Sequence, residues 1–314
     1  MRWTEGTPSN LTLIGLTIFS IALFYVAEQT AEPERQPHFD KKLESAQLAL
    51  VAGQAIKNQA ELLGIKLDPQ NDPFSTGLIG QENTLITSDR GVVTSKILST
   101  NPNYAAAFVD MLMKAKIKKH STVAIGMTGS FPGWNISFMA ACAALELKPI
   151  TISSVGASDW GANVPTLTWL DMETLLNQKG ILKFRSIAAS IGGGVASVGG
   201  SQNARLIPPG LTVHLGVKNF PVRAVINQMA EQGIPVINLL EVEKIAQKYN
   251  LPTEVGEEAA KLGEGSLFFK DRYSVSSTIM LTLILVIVVF IMIRIDIKHY
   301  LFRKKTPIQK VNVV

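Results

Sequence analysis

An α/β fold, built on a mainly parallel sheet with helices on both faces and flanked by an N-terminal and a C-terminal transmembrane helix, is what the sequence predicts. Two observations carry that expectation. From Ser121 onward, short β-branched apolar runs alternate with helical patterns of roughly ten or more residues, the mark of βαβ units. At each end, an uncharged apolar stretch approaches the roughly 20 residues that a helix needs to cross a bilayer.

In chain order, residues 1–10 form a short tail and residues 11–27, Leu11 to Ala27, the first span. A cleaved signal peptide occupies the same position in many chains. Here the positive charge before the stretch is only Arg2 with Glu5 nearby, and the "FYVA" end puts Tyr25 where cleavage needs a small residue, so the reading favours an uncleaved anchor. Residues 28–274 make up the body. "AEPERQP" is a polar, proline-bearing linker, and residues 40–64 set apolar side chains at helical spacing among strong helix formers, giving a leading helix. "LDPQNDPFSTGLIGQENT" has loop composition, whereas "TLITSDRGVVTSKILST" fits short strands and a helix equally well.

In "NPNYAAAFVDMLMKAKIKKH", Asn101 is placed to cap a helix and Pro102 to open it, and Lys114, Lys116, Lys118 and Lys119 suit its negative end. The alternation then begins: "STVAIGMTG", the helical "NISFMAACAALEL", "KPITISSVG", the helical "TLTWLDMETLLNQKG" and "RSIAAS". It continues through "LTVHLGV", the helical "PVRAVINQMAEQG", "IPVINL" and the helical "EVEKIAQKYN". Residues 275–293 are the second span and residues 294–314 a basic tail.

Charge sets the expected topology. Arg294, Lys298, Arg303, Lys304, Lys305 and Lys310 follow the second span, while Glu28, Glu32 and Glu34 follow the first, so both termini belong on the cytoplasmic side of a bacterial inner membrane and the body outside it. The net charge of +5 is not a nucleic-acid signal. Residues 28–275 carry 23 Lys and Arg against 23 Asp and Glu, and the ends carry the whole excess.

The lone cysteine, Cys142, excludes an intrachain disulfide and a thiolate metal site, and "MAACAALEL" reads it as a small core residue. His38, His120 and His214 are scattered without metal-ligand spacing, so neither a metal nor a cofactor is expected.

Chemistry is expected where strands of a parallel sheet give way to loops. "GMTGSFPGWN" follows one strand run. Gly126, Gly129 and Gly133 allow close backbone approach, and Gly126, Thr128, Gly129 and Ser130 are candidate ligand contacts beside the free N–H groups of the next helix. The string departs from GxGxxG, from GxxxxGK[ST] and from the GxSxG elbow, so Ser130 is either a nucleophile outside those patterns or a helix cap.

The loop "SSVGASDWGAN" adds Ser154 and Asn163 as ligand contacts and Asp159 as an acid or base, against the alternative of an Asp that only shapes its turn. Asp171 and Glu173 stand two apart on a helix, and Thr168 with Asp171 fits a capping pattern, so this pair reads as structural in the main, with Asp171 kept as an outside candidate for the site. Gly192 and Gly193 in "ASIGGGVASVGG" complete three small-residue loops that share one cleft.

The order of "VAIGMTGSFPGWN", "ITISSVGASDWGAN", "TWLDMETLL" and "SIAASIGGG" resembles the poly-γ-glutamate system proteins. The resemblance implies an accessory protein of capsule or exopolymer synthesis, beside the membrane subunits of poly-γ-glutamate synthase. It supplies no catalytic residues. Three roles follow as expectations: a module binding the γ-glutamyl polymer, a γ-glutamyl amidase or transferase using Ser130 and Asp159 with His214 or Lys218 as partner, and a non-catalytic scaffold.

Overall fold

The computed structural model describes residues 10–192, 211–215, 231, 233–239, 241–257 and 261–303. They divide into two compact units, one of residues 35–269 and one made from the two ends of the chain. The expected helix over "PVRAVINQMAEQG" falls almost entirely outside the described residues, as does the tail beyond Arg303.

The order begins with α1 (Asn10–Gln29), β1 (Glu32–Arg35), α2 (Phe39–Leu62), β2 (Thr87–Asp89), α3 (Val93–Ser99) and α4 (Asn103–Lys114). Next come β3 (Thr122–Met127), α5 (Pro132–Ala144), β4 (Lys148–Ser154), β5 (Ala157–Ser158), β6 (Asn163–Val164), β7 (Leu167–Thr168) and α6 (Trp169–Gln178). Last among the described residues come β8 (Ala188–Ser190), β9 (Leu211–Leu215), β10 (Val236–Leu239), α7 (Val242–Lys248), β11 (Phe269–Arg272) and α8 (Val275–Arg303).

In the end unit, α1 and α8 are both long and apolar enough to cross a membrane, with 18-residue windows of mean hydropathy 1.5 and 2.8. Their large apolar side chains, among them Ile18, Phe24, Val286 and Phe290, stand exposed. Hydroxyls within them are satisfied locally, Thr17 donating to the Leu13 carbonyl and Thr282 to that of Thr278. Gly15 faces α8, where an added Cβ would meet Met292 Cε at 3.2 Å. Outside the apolar stretches Glu34 pairs with Lys270 at 3.1 Å and Arg272 at 3.0 Å, and Tyr273 donates to Glu28 at 2.7 Å.

Among the described residues the body is built on a five-stranded sheet in the order β10-β9-β3-β4-β8, and every pair in it is parallel. Parallel strands are buried and read as continuous apolar runs, which is why Val123, Ile125 and Met127 on β3 all lie in the core. Counted along the chain, the order is the doubly wound one: β3, β4 and β8 step outward on one side, and β9 and β10 on the other. The direction of winding reverses between β3 and β9.

Against the sheet, α2, α4, α5 and α6 pack on one another through small and aromatic side chains. The alanines of α2, Ala46, Ala49, Ala52 and Ala60, let its backbone approach its neighbours closely. Between α4 and α5 the rings of Phe108 and Trp134 meet edge to face at 5.7 Å, with Tyr104 and Phe138 beside them. Each such buried ring contributes about 1.5–3 kcal/mol by leaving water. Cys142 sits fully buried on α5, where burial pushes its thiol pKa up. The α4 helix stops at Lys114 because the chain turns through a left-handed Lys116, so Lys118 and Lys119 lie beyond the helix end.

Candidate functional site

The reversal point of the sheet lies beside the C-terminal end of β3, and the loop that leaves it is Thr128–Phe131. Gly126 is not in that loop. It lies within β3, opposite Ile152 on β4 and His214 on β9. Thr128 Oγ1 accepts the Ser130 N–H at 3.2 Å, and Ser130 Oγ accepts the Ser158 N–H at 3.0 Å. Neither hydroxyl caps α5. That helix opens on Pro132, with Phe131 before it and no side-chain cap.

Four close backbone approaches draw the surrounding loops together. A Cβ on Gly129 would meet the Val155 carbonyl and Ala157 at 3.1 Å, and one on Gly161 would meet the Gly129 carbonyl at 2.7 Å. A Cβ on Gly80 would lie 2.0 Å from the Gly161 carbonyl, and one on Gly91 2.5 Å from that of Asp159. Only glycine fits where backbones pass this closely. Asn163, fully buried, clamps the same region: it accepts the Gln81 N–H at 2.9 Å and donates to the Gln81 carbonyl at 2.6 Å and to Thr87 at 2.9 Å.

The loop after β4 continues into β5, which pairs in parallel with β2, and β2 runs directly into α3. Those steps bring Lys96 of α3 onto Ser158 of β5. Gly133 completes the approach, since a Cβ there would lie 2.5 Å from the Ser99 carbonyl at the end of α3. Lys96 is 2% exposed. Its Nζ lies 2.7 Å from Ser158 Oγ, donates to the Ser130 carbonyl, and stands 3.7 Å from the centre of the Phe131 ring. Phe131 in turn leans on Trp134 at 5.7 Å. Burial drives the Lys96 pKa down to about 7, with the charge of Asp159 opposing the shift. Asp159 is itself buried, and its carboxylate pairs at 3.6 Å with Arg90, whose side chain is 89% exposed.

The structure thus brings Thr128, Gly129, Ser130, Asp159 and Asn163 into one place. Ser154 and Gly192 lie at its margin. Ser154 Oγ donates to the Gly156 carbonyl at 3.2 Å, and an added Cβ on Gly192 would be 3.2 Å from that of Ser154. Gly193 and Lys218 lie outside the described residues. The titratable group against Ser158 is Lys96, which sequence reading passed over because "TLITSDRGVVTSKILST" has no decisive period. Thr168 and Asp171 form the expected capping box on α6, and Glu173 holds Ser186 through the N–H at 2.6 Å and the hydroxyl at 2.7 Å.

No protein-family model, curated protein or solved structure matches the chain. Chemically, the arrangement offers a half-buried seryl hydroxyl, a buried amine against it and an exposed guanidinium at the rim.

Proposed function

We propose that the chain is a membrane-anchored accessory component of poly-γ-glutamate synthesis or export, which engages the γ-glutamyl polymer at the reversal point of its sheet. One observation carries the reading: the four stretches that resemble the poly-γ-glutamate system proteins, successive in the chain, meet around the end of β4 and the loop after it. "VAIGMTGSFPGWN" supplies β3 and the Ser130 loop, and "ITISSVGASDWGAN" supplies β4 and Ser158. "TWLDMETLL" is tied to the end of β4 by the Trp169 indole, which donates to Ser153 at 3.1 Å. "SIAASIGGG" reaches the same loop through Ile191, whose carbonyl accepts the Gly156 N–H at 2.8 Å.

In this reading α1 and α8 are the anchor, and the basic residues that follow the apolar stretch of α8 favour cytoplasmic termini, with the α/β body outside and the synthase membrane subunits as partners. Deletion of the gene in its own host tests the function. Cell-bound and released polymer lost, or altered in chain length, supports it, and polymer unchanged in both amount and length overturns it. Protease treatment of spheroplasts carrying tagged termini tests the topology: both tags survive while the body is cut.

A further inference from the structure

The site contains more than a place to bind. We propose that Ser158 is an acyl-accepting nucleophile and Lys96 its general base, so that the domain cleaves or transfers γ-glutamyl amide bonds. The γ-glutamyl substrate rests on the function proposed above; the nucleophile and its base do not.

The geometry suits both protonation states of the lysine. As a neutral amine, Nζ accepts the Ser158 hydroxyl proton along the 2.7 Å contact and donates to the Ser130 carbonyl. As a cation it keeps the Ser130 carbonyl, the Ser158 oxygen and the face of Phe131 as partners. Burial with a pKa near 7 leaves a large share of the amine neutral at physiological pH, the condition for a lysine base. The charged groups around it are Asp159 and, beyond Asp159, Arg90.

Ser158 is held for attack from two sides. Its N–H is fixed on Ser130 Oγ at 3.0 Å, and Gly91 runs so close that an added Cβ would lie 3.2 Å from both Ser158 Oγ and Lys96 Cε. Ser130, the serine favoured from sequence, therefore positions the nucleophile; the base stands against its neighbour. A part-buried seryl hydroxyl against a buried amine is the arrangement of serine–lysine acyl transfer, in which the lysine replaces histidine.

The step balances without a further cofactor. As Ser158 Oγ bonds to the amide carbon, its proton passes to Lys96 Nζ. Collapse of the adduct breaks the C–N bond, the lysine proton goes to the leaving nitrogen, and an ester remains on Ser158. Water then attacks the ester and gives its proton to Lys96. The C–O bond breaks, and that proton returns to Ser158 Oγ, leaving a carboxylic acid. An amine in place of water completes a transfer.

The test uses the full-length protein in detergent and an alkyl fluorophosphonate, with the modified residue found by peptide mass mapping. Wild type is expected to be modified at Ser158, at a rate that rises with pH through about 7 as the amine loses its proton. Lys96→Met, checked for folding by its thermal melt, should react slower by roughly 100-fold or more, and Ser158→Ala should not react there at all. The pH profile of wild type keeps the proposal exposed even if a Lys96 variant fails to fold. Absence of modification at Ser158 from about pH 6 to about 9, or a folded Lys96→Met that reacts at the wild-type rate, overturns it. Modified Ser158 without cleavage of poly-γ-glutamate supports the dyad and counts against the polymer. A polymer defect on gene deletion with an inert Ser158 does the reverse.

Discussion

Removing the Asn163 side chain tests whether the site is held by loop-to-loop hydrogen bonds. Asn163 is fully buried and joins the 161–164 stretch to residues 81 and 87 through three side-chain bonds of 2.6–2.9 Å. Asn163→Ala deletes all three. At about 1 kcal/mol for each net hydrogen bond the loss is about 3 kcal/mol, and for a domain of this size that lowers the melting temperature by about 6–12 °C. Asn163→Asp keeps the acceptor for the Gln81 N–H but turns an oxygen toward the Gln81 carbonyl, so it should melt no higher than the alanine variant. The assay is tryptophan fluorescence of the full-length protein on heating in detergent. An alanine variant that melts within about 2 °C of wild type would show that the clamp does not hold these loops, and the convergence of the site would need another cause.

Gly80→Ala should be more damaging still, because its Cβ would fall 2.0 Å from the Gly161 carbonyl and 2.2 Å from Asn163 Oδ1; low yield or a large drop in melting temperature is expected, measured on the same heating ramp. Thr168→Ala removes the α6 cap and should cost about 1 kcal/mol in chemical denaturation. Asp110→Asn should cost about 3 kcal/mol at neutral pH by stranding the buried Lys42. Burial works against the Asp110 carboxylate, but hydrogen bonds from Lys114 and Tyr249 and the charge of Lys42 hold its pKa below the ordinary 3.8. The stabilisation is therefore complete above 3.8 and fades as pH falls through the lower, folded value, so melting curves of Asp110→Asn and wild type should converge in acid. Lys96→Met should melt within about 1 kcal/mol of wild type or above it, whereas Lys42→Met should melt lower; equal losses would remove the distinction between the two lysines.

The sheet was legible because short β-branched runs alternate with helical patterns, the mark of βαβ units. The five runs at "STVAIGM", "KPITISS", "RSIAAS", "LTVHL" and "IPVINL" are the five strands, and the carboxyl end of the first is where the winding reverses. The α6 cap was equally plain, since Thr168 and Asp171 act on one another three positions apart. What escaped was set by partners distant in sequence. Lys96 meets Ser158 across 62 positions, and Asn163 meets Gln81 across 82. Asn163 looked like a ligand contact because a polar residue in a loop gives no sign of which backbone it will bind. Ser130 drew attention as a serine after a strand, yet its hydroxyl is occupied by the Ser158 N–H.

Two lysines in this domain are buried to the same degree, and their surroundings separate a structural role from a chemical one. Lys42 is 2% exposed, pairs with Asp110 at 3.3 Å and donates to the Leu267 carbonyl at 3.2 Å. Burial lowers its pKa while the aspartate pulls it back, and the pair ties α2 to α4. Lys96, also 2% exposed, meets a carbonyl, a hydroxyl and a ring, while the carboxylate of Asp159 is committed to Arg90. Burying an amine without a paired carboxylate sacrifices solvation that a methionine of similar length would not lose. The contacts of Lys96 with the Ser130 carbonyl, Ser158 and Phe131 tie these loops together but do not by themselves explain an amine buried without a carboxylate. A reaction that needs an uncharged amine beside a hydroxyl does, because the same loss of solvation that weakens the fold makes Lys96 able to take a proton.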